Sequence, residues 1–151
     1  MKKTFVFSLF LVLLMVLIGC PNGNDGNDDF DKTVFPEELR GTWIYTNEGD
    51  PDNTVTLTID ELSFTVEIKG DGDPDNDGTF LVTLTSINRY IVPPGLTVFS
   101  PEYTVIGTVT SSTIELITTG STFETLISIH ESKDRILKNE SPGAGTYYYQ
   151  P

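Results

Sequence analysis

Four aspartates alternate with other residues in the stretch Asp71–Gly78, which reads DGDPDNDG. Carboxylate oxygens at every second residue can converge on one hard cation, whose charge relieves their mutual repulsion. Asp73, Asp75 and Asp77 are the best spaced for this, and Gly78 lets the chain turn sharply behind them. The spacing therefore predicts a candidate calcium site.

From Asp73 onward, the pattern D-x-D-x-D-G resembles the first half of an EF-hand calcium loop. The resemblance implies that the backbone carbonyl of Thr79 is a further ligand. The likeness ends at Leu84, which stands where that loop has a bidentate glutamate, and the flanking segments have strand patterns. We expect weak calcium binding, with a Kd of ~10⁻⁴–10⁻³ M. The alternative is a solvated acidic hairpin turn that blocks edge-to-edge aggregation.

Residues that could catalyse a reaction are sparse. His130 is the only histidine and Cys20 the only cysteine, which excludes a histidine-based zinc site. A serine–histidine–aspartate arrangement would need His130, but no Gly-x-Ser-x-Gly stretch accompanies it. We predict that the protein is not an enzyme, that His130 is a surface residue at a strand end, and that no cofactor is bound apart from weak calcium.

The first twenty residues read as an export signal. Two lysines precede an apolar run of about 16 residues that ends at Cys20, shorter than the roughly 20 residues of a membrane-spanning helix. The last four residues of the run, LIGC, resemble the lipobox of bacterial lipoproteins. The resemblance implies cleavage after Gly19, lipidation of Cys20 with acyl chains such as palmitate, and a membrane anchor in the bacterial cell envelope.

Two alternatives to this interpretation stay open: an uncleaved anchor helix, and an ordinary signal with an incidental cysteine. The residue after Cys20 is Pro21 rather than the aspartate that retains some lipoproteins at the inner membrane. We therefore expect an outer-membrane lipoprotein, on its periplasmic or surface face. Lipidation of Cys20 would leave no thiol for a disulfide, so the fold must be held by its own core.

The chain is acidic, with a formal net charge of −13 that becomes about −15 once residues 1–19 are removed. Nucleic-acid binding needs a basic surface, so this class of partner is excluded. Most of the acids lie between Asp25 and Asp77, in the predicted tether and turns. Their expected roles are solubility and cation attraction.

The elements behind these residues are strands. Residues 20–35 are rich in Gly, Asn and Asp and predict a flexible acidic tether, and Pro36–Arg40 predicts one helical turn. After that, apolar residues alternate with Thr, Ser and charged residues in eight to ten short segments, which include Ile114 and Leu116. We predict one all-β domain over residues 36–151, a small antiparallel β-barrel of about eight strands, with a β-sandwich as the alternative.

The start of the first strand, Gly41-Thr42-Trp43 after a helical turn, resembles the G-x-W opening of lipocalin-like barrels. The closing Gly-Thr-Tyr-Tyr resembles the last strand of small lipocalin-like lipoproteins. The resemblance implies an up-and-down barrel that holds one small ligand, with Trp43 closing one end beneath a late basic residue, for which Arg135 is the candidate. The candidate inward-facing residues are Phe64, Val66, Phe80 and Val82.

Two functions fit this reading. The first is a membrane-tethered protein whose barrel binds a small apolar ligand without catalysis. The second is a structural, adhesion or protein-interaction module with a filled core and an acidic, calcium-binding turn. The apolar segment 91–99 would line or cover the barrel mouth, form a partner-binding patch, or be a buried crossover.

Overall fold

The computed structural model describes residues 30–47, 50–70, 77–139 and 144–151. The predicted signal helix and Cys20 lie outside these ranges. Residues Asp31–Pro151 form one compact unit. This unit contains a short 3₁₀ helix, Glu37–Leu39, and eight strands. In chain order the strands are β1 Gly41–Asn47, β2 Asp50–Ile59, β3 Ser63–Lys69, β4 Gly78–Tyr90, β5 Phe99–Ser112, β6 Thr122–His130, β7 Arg135–Lys138 and β8 Gly145–Gln150.

Every strand pairs antiparallel with the next, and β8 pairs back with β1, which closes the sheet into an eight-stranded barrel. This confirms the predicted all-β barrel and excludes the sandwich. Alternate connections lie at the same end of such a barrel. The helical end carries the 3₁₀ helix and the connections 60–62, 91–98 and 131–134. The acidic end carries the Gly70–Gly78 turn and the connection 113–121.

The period of two in the sequence is the period of burial in the strands. In β2, Val55, Leu57 and Ile59 are buried and pair with the buried residues of β3, whereas the threonines between them face outward. The four predicted inward residues are all buried: Phe64, Val66, Phe80 and Val82. Side chains that alternate across a strand allow one face to fill the interior and the other to meet water.

The N-terminal segment is part of the barrel unit. Strand β4 runs seven residues past its last pairing with β3. The Ile87 N–H on this free edge donates to the Lys32 carbonyl (3.0 Å), and the Phe35 N–H donates to the Glu61 carbonyl (2.8 Å). The segment predicted as tether therefore packs on the barrel from Lys32 onward, because it satisfies edge groups of β4.

The strand predicted around Ile114 and Leu116 is absent from the described chain, where β5 ends at Ser112 and a loop follows. The Thr113 N–H donates to the Thr79 carbonyl (2.9 Å), and the Ile114 N–H donates to Ser112 Oγ (3.0 Å). These bonds fold the chain back onto the barrel rim. Ile114 is buried there, whereas Leu116 is 77% exposed. The alternation of two apolar residues was too short to distinguish this loop from a strand.

Candidate functional site

A plug closes the helical end of the barrel. Phe35 and Leu39, on either side of the start of the 3₁₀ helix, have no solvent exposure. The Trp43 Nε1–H donates to the Leu39 carbonyl (2.9 Å), and the Tyr103 hydroxyl donates to Glu38 Oε1 (2.5 Å). Hydrogen bonds to both β1 and β5 thus fix the helical turn across this end.

Tyr149, rather than Arg135, packs on Trp43. The two rings lie 5.1 Å apart in an edge-to-face arrangement, a favourable geometry for aromatic pairs. Arg135 precedes the buried Ile136 and pairs with the exposed Tyr148, so the alternation of β7 directs Arg135 to the outer face. The expected contact between Trp43 and Arg135 is therefore replaced by a contact between aromatic rings.

Aromatic rings line the interior from the plug toward the acidic end. Phe35 contacts Phe64 (6.0 Å between centroids), and Phe123 contacts both Phe64 (5.5 Å) and Phe80 (5.6 Å). Phe123 faces inward and pairs with Gly107 of β5. Yet Phe123 is only half-buried. Phe123 therefore lies at the acidic rim of the interior, where solvent reaches part of its ring.

A buried lysine lies beside this column of rings. Lys138 pairs with Ile127 of β6, is 1% exposed, and holds its Nζ 5.6 Å from the centre of the Phe123 ring. Its side chain therefore runs along β6 from the level of Ile127 to that of Phe123. A cation at this distance from a ring face is attracted by the ring quadrupole.

Thr125 stands between those two levels, on the same inward face of β6. It is 1% exposed, and its Oγ1 has no hydrogen-bond partner in the described part of the chain. A buried hydroxyl without a partner costs about 1–3 kcal/mol. This atom, beside the stem of Lys138, marks a place where a polar group of a ligand or a water would be stabilised.

Two tyrosines complete the lining on the side of β1 and β8. The rings of Tyr45 and Tyr147 lie 5.9 Å apart, and Tyr147 is fully buried. Burial, and to a lesser extent the neighbouring Tyr45, raises the pKa of the Tyr147 hydroxyl well above its usual value. Tyr147 is therefore neutral at any physiological pH and can serve as a polar but uncharged wall of the interior.

Sequence reasoning missed Lys138 and Thr125 as interior residues, although the signal was present. Lys138 is in phase with Ile136, and Thr125 is in phase with Ile127. A period of two that places an isoleucine inside also places the residue two positions away inside. Charge and polarity make such a residue look like a surface residue when strands are read singly.

The predicted calcium site falls largely outside the described residues, since Asp73 and Asp75 lie there. Asp77 Oδ2 accepts the Gly70 N–H (3.1 Å) across the turn. The Thr79 carbonyl accepts the Thr113 N–H (2.9 Å) and the Thr113 hydroxyl (3.2 Å). The described residues contain no group of three potential metal ligands. Calcium binding stays a prediction, in which Thr79 would have to exchange partners.

His130 lies at the end of β6, as predicted, within a small polar turn, but its side chain is only 11% exposed and is not the surface side chain that was expected. Its Nε2 accepts from the Arg135 guanidinium (3.2 Å) and its Nδ1 lies 2.6 Å from Ser132 Oγ. The Ser132 hydroxyl donates to Asp134, and this bond lowers the pKa of the Asp134 carboxyl. The serine hydroxyl thus donates to the aspartate, and both ring nitrogens of His130 have partners in the turn. In a hydrolytic triad the serine hydroxyl donates to the histidine instead, so this arrangement is not a triad.

The chain matches no protein-family model, no curated protein and no solved structure. Within the described ranges, no helix has the length and apolar character needed to cross a membrane.

Proposed function

We propose that this chain is a lipocalin-like lipoprotein, tethered to a membrane through Cys20, whose barrel binds a small apolar ligand at the acidic end. The observation that carries the proposal is Phe123, an inward-facing ring that is reached by solvent. Together with Phe64 and Phe80 it offers an aromatic surface inside the barrel. The helical end is plugged, so the ligand enters and leaves at the acidic end.

Thr125 and Lys138 fit a ligand with one polar end. The partnerless Oγ1 of Thr125 can exchange a hydrogen bond with that end, and the Lys138 ammonium lies near the same level of the barrel. Ligand sites are generally apolar with a few such polar groups that fix orientation. The polar end would therefore lie against β6 and β7, and the apolar body against the rings.

Binding without catalysis is the form of function that the polar groups favour. In the described chain, His130 is bonded within its own turn on the outer side of the helical end, away from the ring-lined interior. The tether belongs to the same proposal and is supported by the sequence alone, through the apolar run that ends at Cys20. A stable anchor takes more than one acyl chain, as the lipobox resemblance implies.

Native mass spectrometry of residues 31–151, purified from a bacterial cytoplasm, tests the ligand. We expect an additional mass that is lost on denaturation and extracted into organic solvent. The decisive variant is Thr125→Phe, which fills the interior beside Lys138 and should lower the affinity for an apolar fluorescent probe by at least roughly tenfold.

Glu124→Phe is the matched control, because Glu124 is the exposed neighbour of Thr125 and places the same ring on the outer face. This control should bind the probe like the unmodified protein. A bare mass together with probe binding that Thr125→Phe leaves unchanged would contradict ligand binding in the interior.

The contacts among the inward rings favour a second candidate, a filled barrel that acts as a structural, adhesion or protein-interaction module. The rings touch in the order Phe35, Phe64, Phe123, Phe80, as in a packed core. A bare mass in the experiment above would support this function. Calorimetry at millimolar calcium would then ask whether the acidic turn contributes, and an absence of heat would remove calcium from it.

A further inference from the structure

Large apolar side chains are exposed in one segment of the helical end, the connection between β4 and β5. We call residues Tyr90–Val98 the apolar loop. Four of its side chains are about half or more exposed: Tyr90 60%, Ile91 51%, Leu96 74% and Val98 49%. No charged residue occurs between Arg89 and Glu102. An exposed uncharged cluster of this kind marks an interaction surface.

Two backbone donors of the apolar loop are hydrogen-bonded. The Leu96 N–H donates to the Pro93 carbonyl (3.4 Å), and the Val92 N–H donates to Ser100 Oγ (3.2 Å). Pro93 and Pro94 have no N–H to satisfy. A backbone N–H that is already hydrogen-bonded costs less free energy to transfer from water into a lipid environment.

The chain enters the barrel unit beside this loop. The Lys32 carbonyl accepts the N–H of Ile87, three residues before Tyr90 on the same strand. About eleven residues connect Cys20 to Asp31, and a flexible segment of that length spans roughly 18 Å. An anchor at Cys20 would therefore hold the helical end near the bilayer.

The opposite end has the opposite chemistry. The sequence of the turn between β3 and β4 contributes four aspartates there, and Glu115 and Glu124 lie in or beside the β5–β6 connection. Carboxylates at this end are repelled by the anionic surface of a membrane and cannot enter its apolar layer. The helical end also has exposed carboxylates in its other connections (Asp60, Glu61, Glu131 and Asp134), and the apolar loop is the uncharged part of that end.

We propose that the apolar loop docks on the lipid bilayer to which the protein is tethered, with Leu96 and its neighbours in the headgroup layer. The inference rests on the tethering part of the proposed function and not on ligand binding. It orients the barrel on the membrane, with the acidic end and its ring-lined interior directed away from the lipid. Transfer of aromatic and aliphatic side chains from water to the membrane interface lowers the free energy.

The test uses Cys20 as the only thiol of the chain. Residues 20–151 are coupled through it to a maleimide lipid in phosphatidylcholine vesicles, so that anchoring does not depend on cellular lipidation. Leu96→Trp and Leu116→Trp are the matched reporters, since the two leucines are 74% and 77% exposed at opposite ends. Trp43, the only native tryptophan, is buried and supplies the constant background.

With brominated lipid in the vesicles, the tryptophan at position 96 should lose most of the fluorescence it adds, and the one at 116 should lose none. In the reporter Val98→Trp, adding Leu96→Glu should abolish the quenching. Equal quenching at positions 96 and 116, or none at either, would overturn the proposal. So would a dimer of the uncoupled protein that Leu96→Glu dissociates, which would assign the loop to a second copy.

A separate measurement keeps the tether distinct from the docking. In the full chain expressed in bacteria, Cys20→Ser should abolish palmitate incorporation and membrane fractionation. Unchanged fractionation would remove the natural tether, and with it the reason for docking in the cell, whereas the coupled protein would still report whether the loop contacts lipid.

Discussion

The two ends of the barrel differ in how completely their aromatic side chains are buried. At the helical end, Phe35 and Leu39 are fully buried and Trp43 is hydrogen-bonded to the turn that carries them. At the acidic end, the inward Phe123 meets solvent and the buried Thr125 lacks a partner. Among the described residues, the other buried side-chain atom without a hydrogen-bond partner is Arg135 Nε, at the helical end, so the two ends differ in how their aromatic rings are buried. Full burial of the plug and partial exposure of Phe123 indicate that stability is concentrated at the helical end. Exceptions to good packing are expected at functional sites.

The sharpest test of this contrast substitutes one phenylalanine at each end. Phe35→Ala should lower the free energy of unfolding of residues 31–151 by about 3–5 kcal/mol, because it leaves a cavity under the plug. Phe123→Ala should cost less, about 1–2 kcal/mol, because its ring is partly exposed and solvent can fill the space. Urea denaturation measures both. Equal losses would show that the acidic end is packed as tightly as the plug.

A smaller effect is expected at Gly107, which faces Phe123 across the sheet. A Cβ there would lie 2.4 Å from Val82 Cγ1 and 2.7 Å from the Thr83 carbonyl oxygen. Gly107→Ala should therefore cost about 1–3 kcal/mol through overpacking. In the double variant with Val82→Ala the loss should be less than the sum of the two single losses, because one of the two clashes is relieved. Strictly additive losses would place the strain elsewhere.

The sequence predicted local features better than contacts between distant segments, for a physical reason. The alternation around Val66 and Val82 and the short turn before Trp43 are local patterns, and each reports its own burial or geometry. The interior of the acidic end depends on which strands meet: Thr125 lies beside the stem of Lys138 only because β7 pairs with β6 in one register. The pairing and register of two strands cannot be deduced from the sequence of either segment alone.

The same limit explains the two local misses. The Gly-, Asn- and Asp-rich composition and the helical turn at Pro36 predict a tether that extends to residue 35, but a free edge of β4 gives the Lys32 carbonyl a hydrogen-bond partner. Ile114 and Leu116 have the spacing of a strand, but Thr113 is bonded to Thr79 and turns the chain away. In both places, backbone hydrogen bonds between distant segments override side-chain pattern.

The free energy of unfolding at alkaline pH reports on Tyr147, in the half of the barrel near the acidic end. The ordinary tyrosine pKa is 10.0, and burial raises that of Tyr147 in the folded protein. Below pH 10 this tyrosine is neutral in both states; above it, only the unfolded chain ionises. Stability should fall by up to about 1.4 kcal/mol per pH unit above that point on account of this group.

Tyr147→Phe should flatten this alkaline decline, whereas Tyr148→Phe, at an exposed position on the same strand, should leave it unchanged. Unfolding free energies between pH 8 and 12 provide the slopes. A decline of equal steepness in the unmodified protein and in Tyr147→Phe would show that the Tyr147 hydroxyl is hydrated in the folded state.

The smallest expected change is the most informative about function. Thr125→Val keeps the shape of the side chain and removes the partnerless hydroxyl, so the ligand-free barrel should gain about 1 kcal/mol of stability. Thr108→Val, on the exposed outer face of β5, should change stability by less than about 0.5 kcal/mol. If the hydroxyl binds the polar end of a ligand, the same Thr125→Val variant should hold that ligand more weakly. A gain in stability together with weaker binding would show that the Thr125 hydroxyl serves ligand binding rather than folding. A loss of stability would mean that this hydroxyl is already hydrogen-bonded, for example to a buried water.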